Sequence, residues 1–272
     1  MTGVVLADVV SKNPNYLKRG KIDKVHIANY SKKELRKHNY TIIKDPTGTS
    51  PFKLIENFSP RKGDCGTAGH FWKENKVKIG TGTTDCNSNR LRLEVASSGD
   101  IRIGKKAKEI WVGYYFYVPN TPDNFKDKLL QPYITQFYSV NRKGGQTVGG
   151  YAPQFSASIY NGKLSIEGNH VIDEKNLKGK WHKVEFNIRY SKDYDGFIKV
   201  YINDELKVNR SGFKTASHDY VDIKYGTYSH PEYGGASYPE GYQFPSHTIY
   251  FAGFSMNKAR SKLMINYRHW KK

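Results

Sequence analysis

From Tyr40 onward, apolar and polar residues alternate with period two in one short segment after another. Arg90 to Val95, Trp111 to Val118, Pro132 to Val140 and Phe155 to Tyr160 follow this rule. So do Trp181 to Tyr190, Phe197 to Ile202, Val221 to Tyr228 and Thr248 to Phe254. Period two is the signature of half-buried strands. Turn pairs separate the segments: Asn161-Gly162, Asp195-Gly196, Asn203-Asp204 and Ser211-Gly212. No apolar run has the helical spacing and length a βαβ unit needs, and no internal repeat is visible. The pattern predicts an all-β fold over residues 39–272, a single-domain jelly roll or concanavalin-like two-sheet sandwich with a concave groove. Residues 1–38 read as an N-terminal arm. Within it, Ser31 to His38 has an N-cap serine and Glu34 at the capping-box position, and predicts a short helix.

Composition removes several classes. The 272 residues include 21 Tyr and 13 Phe, too many aromatics for a disordered basic tail. No segment approaches the roughly 18 consecutive apolar residues of a membrane helix. Lys and Arg number 44 against 25 Asp and Glu, a net charge of +19. A field of that sign attracts polyanions: nucleic acid, an anionic membrane surface or an acidic polysaccharide. Charge does not choose among them, and a lysine-rich surface also serves solubility alone.

The two cysteines, Cys65 and Cys86, sit in turn-like flanks, Gly63-Asp64-Cys65-Gly66 and Thr84-Asp85-Cys86-Asn87. They either close one disulfide, stabilising by roughly 3 kcal/mol, or remain free thiols in a reducing compartment. The first residues, Met1 to Ala7, lack a basic n-region and a long apolar h-region and do not decide between these compartments.

Residues two apart on a strand share a face. In Arg90-Leu91-Arg92-Leu93-Glu94 the charged residues therefore lie opposite the leucines. Gln136 and Tyr138 share a face, as do Lys224 and Tyr228 with small Gly226 between them. If these polar faces line one sheet, they gather cations, an amide and phenols in a groove suited to an anionic sugar. The plain alternative for each is a solvated strand face.

These residues also carry a resemblance. The cysteine-flanked Arg90-Leu91-Arg92-Leu93-Glu94 segment resembles the disulfide-flanked Arg-x-Arg-x-Glu strand of jelly-roll polysaccharide lyases of the glucuronan lyase and heparin lyase I type, and more distantly of alginate lyases. Thr135-Gln136-Phe137-Tyr138 resembles their Gln-Ile-His strand. Ile223-Lys224-Tyr225-Gly226-Thr227-Tyr228 resembles their Phe-Lys-Ala-Gly-x-Tyr strand. Gly179-Lys180-Trp181-His182, running on to Asn203, is similar to their Trp-His strand and hairpin. The likeness covers about residues 39–256.

The resemblance implies β-elimination at a uronic acid of a glucuronan-, alginate- or glycosaminoglycan-like polymer. A proton leaves C5 beside the carboxylate, and the departing O4 takes one up. Carboxylate charge opposes the first step, so donors or cations must surround it. Gln136, Arg92 and Lys224 suit this by type, with Arg90 and Glu94 in the binding set. Tyr228 matches the family tyrosine that protonates the leaving oxygen and in some members also acts as base. Where alginate lyases have His in Gln-Ile-His, this chain has Tyr138. Either Tyr138 is the base, or a histidine enters from elsewhere, His70 first. His182 reads as structural. Loss of activity through this replacement would leave a lectin-like module that binds anionic carbohydrate without cleaving it.

Other chemistry fits less well. No Gly-x-Ser-x-Gly elbow, P-loop or EF-hand loop is present, and Glu94 has no evident acidic partner for glycoside hydrolysis. Asp193, Asp195 and Asp222 are types that hold structural calcium, though aspartates in hairpins usually cap turns. Nucleic-acid binding is motivated by charge and interleaved Tyr and Lys, without a recognisable motif. The expectation is a secreted or periplasmic monomer acting on an acidic polysaccharide, with no required cofactor, no nucleic-acid partner and no membrane. Tyr233, Tyr238 and Tyr242, in the loop after Tyr228, are expected to border the groove.

Overall fold

A computed structural model of the chain describes residues 24–27, 40–61, 91–96, 101–102, 107–120, 125, 127, 129–143, 146–149, 153–229 and 244–266. In chain order the strands are β1 (Lys24–Ile27), β2 (Tyr40–Lys44), β3 (Leu54–Phe58), β4 (Leu91–Ala96), β5 (Ile101–Arg102) and β6 (Lys108–Tyr117). They continue with β7 (Tyr133–Lys143), β8 (Gln146–Gly149), β9 (Pro153–Tyr160), β10 (Lys163–Ile166) and β11 (Asn169–Ile172). After one helical turn, α1 (Glu174–Leu177), come β12 (Trp181–Tyr190), β13 (Gly196–Ile202), β14 (Glu205–Phe213), β15 (Tyr220–Ser229) and β16 (Ile249–Asn257).

Among the described residues these strands form two antiparallel sheets, of nine and seven strands. The first runs β1-β4-β15-β7-β9-β10-β11, with β5 on β15 and β8 on β7. The second runs β14-β13-β12-β6-β16-β3-β2. The architecture is the expected all-β jelly-roll sandwich. No described helix is long and apolar enough to cross a membrane.

The core lies where the alternation predicts it. Leu93, Phe137, Ile159 and Ile223 from the first sheet meet Val112, Phe116, Phe186 and Phe251 from the second, all nearly or fully buried. Phe137 and Phe186 rings are 4.9 Å apart, and Tyr225 stacks on Phe254 at 4.0 Å. Tyr114 and Thr135 hydroxyls meet at 2.5 Å across the sandwich. Burial raises the Tyr114 phenol far above its ordinary pKa, against the opposing hydrogen bond from Thr135. A second cluster covers the outer side of the second sheet, where Leu263 and Ile265 pack on Ile55 and Ala252. Arg260 fastens that segment. Its guanidinium bonds both carboxylate oxygens of Glu185, at 3.1 and 2.6 Å, and lies over the Tyr201 ring at 4.6 Å.

Some expectations are corrected. Ser211-Gly212 is not a turn but lies inside β14, an edge strand whose charged residues hide its pattern. The Asn161-Gly162 and Asn203-Asp204 turns are present, with φ of 48° and 74° in the first and 51° and 72° in the second, as tight hairpins require. Part of the arm, β1, is a strand that pairs with β4 in the first sheet. The expected Ser31 to His38 helix lies outside the described residues.

Candidate active site

The three polar strands of the sequence are immediate neighbours, in the order β4-β15-β7. Their apolar halves point into the core through Leu91, Leu93 and Val95, through Val221, Ile223 and Tyr225, and through Phe137. Period two then leaves Arg92 and Glu94, Asp222 and Lys224, and Gln136 and Tyr138 at positions of the opposite face.

Register sorts these positions into two groups. Lys224 is directly across from Gln136, and Asp222 from Tyr138. The Lys224 Nζ stands 4.5 Å from the centre of the Tyr138 ring, a cation–π contact. On the other side of Gly226, Tyr228 is across from Arg92 on one flank and from Tyr133 on the other. Tyr228 and Tyr133 rings stack 6.0 Å apart. Glu94 faces Gly226.

Tyr138 and Tyr228 thus do not converge on one bond. Their register positions on β15 are six residues apart, roughly 20 Å of extended strand. Lys224 and Tyr228, four apart, span about 13 Å. Asp222 does place a second carboxylate on this face. It lies four positions from the one facing Glu94, again about 13 Å. A glycosidase pair is separated by about 5–9.5 Å, so the spacing does not suit hydrolysis.

Gly226 has a different role from the one expected. Its φ is +137°, and a Cβ there would lie 2.3 Å from the Leu93 carbonyl oxygen and 2.9 Å from the Glu94 Cα. The glycine permits close approach of β4 rather than simply leaving room between Lys224 and Tyr228. The pairing of β15 with β7 slips at the same place. Tyr225 opposes Thr135 and Tyr228 opposes Tyr133, so β15 carries one extra residue, a bulge.

These side chains are not solvated strand faces. Gln136 and Glu94 are 1 % exposed, and Tyr138 and Tyr228 are 8 % and 7 % exposed. The Gln136 Oε1 atom has no hydrogen-bond partner among the described residues. Leaving a buried polar atom unpaired costs about 1–3 kcal/mol, which a ligand donor would recover.

Of the other candidates, His70, Arg90, Cys65 and Cys86 lie outside the described residues, as do Tyr233, Tyr238 and Tyr242. Arg92 is placed by its backbone alone. His182 is structural as expected. It is 2 % exposed, with Nε2 3.0 Å from the Leu177 carbonyl, and burial lowers its pKa. Asp195 is a turn cap, accepting from the Ser191 hydroxyl and from Arg189 at 2.7 Å. No cluster of potential metal ligands occurs among the described residues.

The sequence reading missed two residues. Tyr133 belongs to the Tyr228 group. His26 on β1 is directly across from Glu94, two register positions from the row of Arg92 and Tyr228. The alternating Lys24-Val25-His26-Ile27 was the available signal, too short to stand out inside a segment read as an arm.

Comparison with known structures finds similar chains, one of which shares this fold. An endo-β-1,4-glucuronan lyase from the fungus Trichoderma reesei aligns with a TM-score of 0.56 and 12 % identity over 90 % of this chain and 95 % of that one. A GH131 β-glucanase catalytic domain from Podospora anserina gives 0.49 and 12 %, over 93 % and 98 % of the two chains. An alginate lyase from a Chlorella virus gives 0.48 and 12 %, over 81 % and 89 %. No curated protein matches by sequence. The model of the polysaccharide lyase family, however, matches residues 18–255, nearly the whole chain. The chain therefore belongs to that family and is a polysaccharide lyase.

Proposed function

We propose that the protein cleaves a uronic-acid-containing polysaccharide by β-elimination, with the reacting sugar at the Tyr228 end of the polar face. The observation that carries this reading is the register of β4, β15 and β7, which sets a phenol directly across from an arginine position and next to a second, cation-bearing group. Arg92, across from Tyr228, has the charge to offset the carboxylate while the C5 proton leaves. Tyr228, as phenolate, takes the C5 proton and, as the phenol so formed, gives it to the departing O4. Each elimination therefore breaks the C5–H and C4–O bonds and forms the C4=C5 double bond, with no co-reactant.

Gln136, Lys224 and Tyr138 suit another sugar further along the same chain, roughly 13 Å away along the strand. Lys224 would meet its carboxylate, and the buried Gln136 amide its hydroxyls. The excess of +19 adds long-range attraction for an acidic polymer. Glucuronan is the first substrate to try, because a solved protein of this fold is a glucuronan lyase; alginate and glycosaminoglycans follow. The same reading has the protein act outside the reducing cytosol, with Cys65 and Cys86 bridged.

The test follows the ultraviolet absorbance of unsaturated products across this panel. Tyr228→Phe should lower kcat by about 10²–10⁴-fold, and Gln136→Ala should act mainly on KM. A folded protein that yields no unsaturated product from any of these polymers refutes the substrate class. If His26→Ala abolishes turnover while Tyr228→Phe leaves it largely intact, the base sits on β1 instead.

A further inference from the structure

Between Gly226 and Tyr228 stands Thr227, fully buried on the opposite side of β15. Its hydroxyl is 2.7 Å from Nε2 of His247, in the segment leading into β16. The other ring nitrogen, Nδ1, is 3.0 Å from the Pro245 carbonyl oxygen. A carbonyl only accepts, so Nδ1 carries the proton and Nε2 accepts from Thr227. The ring is 2 % exposed and meets the edge of Phe125 at 5.7 Å, while its backbone N–H donates to the Pro60 carbonyl at 3.2 Å. Burial lowers the His247 pKa to about 4, against the opposing bond to Pro245. The imidazole is therefore neutral and its tautomer fixed.

This bond sits where the ladder is weakest. At the bulge, β15 loses regular pairing with β7 across Gly226 and Thr227, and only β4 still pairs with both residues. A bulge decides where the following side chain points. Pairing with β4 holds one flank of the bulge; on the β7 flank, where pairing resumes only at Tyr228, the Thr227 hydroxyl bond is the further tie.

We propose that His247 is a positioning residue for Tyr228: by anchoring the Thr227 hydroxyl on the core side, it fixes the bulge that presents the phenol on the polar face. This rests on the reading of Tyr228 as the acid. The imidazole touches no substrate and exchanges no proton in the reaction. Its contribution is the aim of the neighbouring residue, where a 1 Å error costs up to about 10²-fold in rate.

The test compares Thr227→Val, Thr227→Ser, His247→Gln and Tyr228→Phe by kcat, KM and pH–rate profile on glucuronan, at a temperature where each is folded by circular dichroism. Thr227→Val should lose 10-fold or more in kcat, up to about 10²-fold, with KM within about twofold. Its alkaline limb should also shift as the phenol moves. Thr227→Ser, which keeps the hydroxyl, should recover most of the rate. Should Thr227→Val not fold, His247→Gln keeps a donor and an acceptor and should show the same kcat loss in milder form. Folded Thr227→Val with wild-type kcat and pH profile overturns the proposal, and so does Thr227→Ser as slow as the valine variant. If Tyr228→Phe is itself active, the reading of Tyr228 fails and this proposal falls with it. If only the Thr227 and His247 variants are unaffected, the positioning role alone fails.

Discussion

Glu56 on β3 offers a sharp test of how the two sheets are joined. Its Oε1 accepts hydrogen bonds from the Tyr40 and Tyr225 hydroxyls, each at 2.8 Å, and Tyr225 lies beside Lys224 and Gly226 on β15. Burial lifts the carboxyl from its ordinary 4.5 to about 7, outweighing the two hydrogen bonds that favour the ionised form. The folded protein therefore holds a proton between about pH 4.5 and 7 that the unfolded chain releases. Stability from this group is fully present below about pH 4.5 and is lost as pH rises through 7. A difference of about 2.5 pKa units corresponds to about 3 kcal/mol at 1.36 kcal/mol each. That is an upper bound, since Glu56 is only partly buried as a residue. Glu56→Gln retains an oxygen for both phenols and cannot ionise. Urea denaturation of both proteins from pH 4.5 to 8.5 gives the difference in unfolding free energy, in which all other titrations cancel. Wild type should lose up to about 3 kcal/mol relative to the glutamine variant across that window. A difference independent of pH, or one that grows in favour of wild type as pH rises, refutes the reasoning.

Two further outcomes follow from packing. Gly226→Ala should destabilise by about 1–3 kcal/mol from backbone strain alone, with more from the contact with Leu93, and should lower kcat; an alanine variant with unchanged melting temperature and rate would show the backbone to be unconstrained there. Arg260→Ala should cost about 2 kcal/mol, below the roughly 3–5 of a fully abandoned buried charge, because Lys183 and Asn266 still reach Glu185 at 3.4 and 2.8 Å. Burial raises the Glu185 pKa, but the bonds from Arg260 and Asn266 and the Lys183 charge outweigh it and hold the carboxyl below its ordinary value. The cost measured by denaturation should thus shrink as pH falls through the carboxylate range, and a cost that persists undiminished in acid would contradict this.

Strands with one buried and one polar face were legible from alternation alone. Trp181–Tyr190 has the predicted bounds, because its even-numbered residues all face the core. β14 was hidden because Val208 is its one buried residue, and an edge strand lined with charge carries no period to read. The polar residue types of the site were legible too, but not their grouping. Grouping depends on register, and a one-residue bulge at Gly226 leaves no trace in a hydropathy pattern. Hence Tyr138 and Tyr228 read as partners but stand in separate groups. His26 and His247 reach their places through strand pairing and loop closure, which local patterns do not record.

The position of β15 between β4 and β7 has a consequence for how the molecule comes into being. The middle strand of the site follows β5 to β14 in the chain, and all of these separate it from its partner β4. A nascent chain can close the β12–β13–β14 hairpins early, since their partners adjoin in sequence. The polar face has no local route. Closure of such long loops comes at an entropic cost before any contact rewards it, which makes folding slow. Activity should therefore be the last property to return on refolding, after the secondary structure signal is complete, and a chain cut short before Tyr220 would lack a central strand of each sheet, β15 and β16, and with β15 the site.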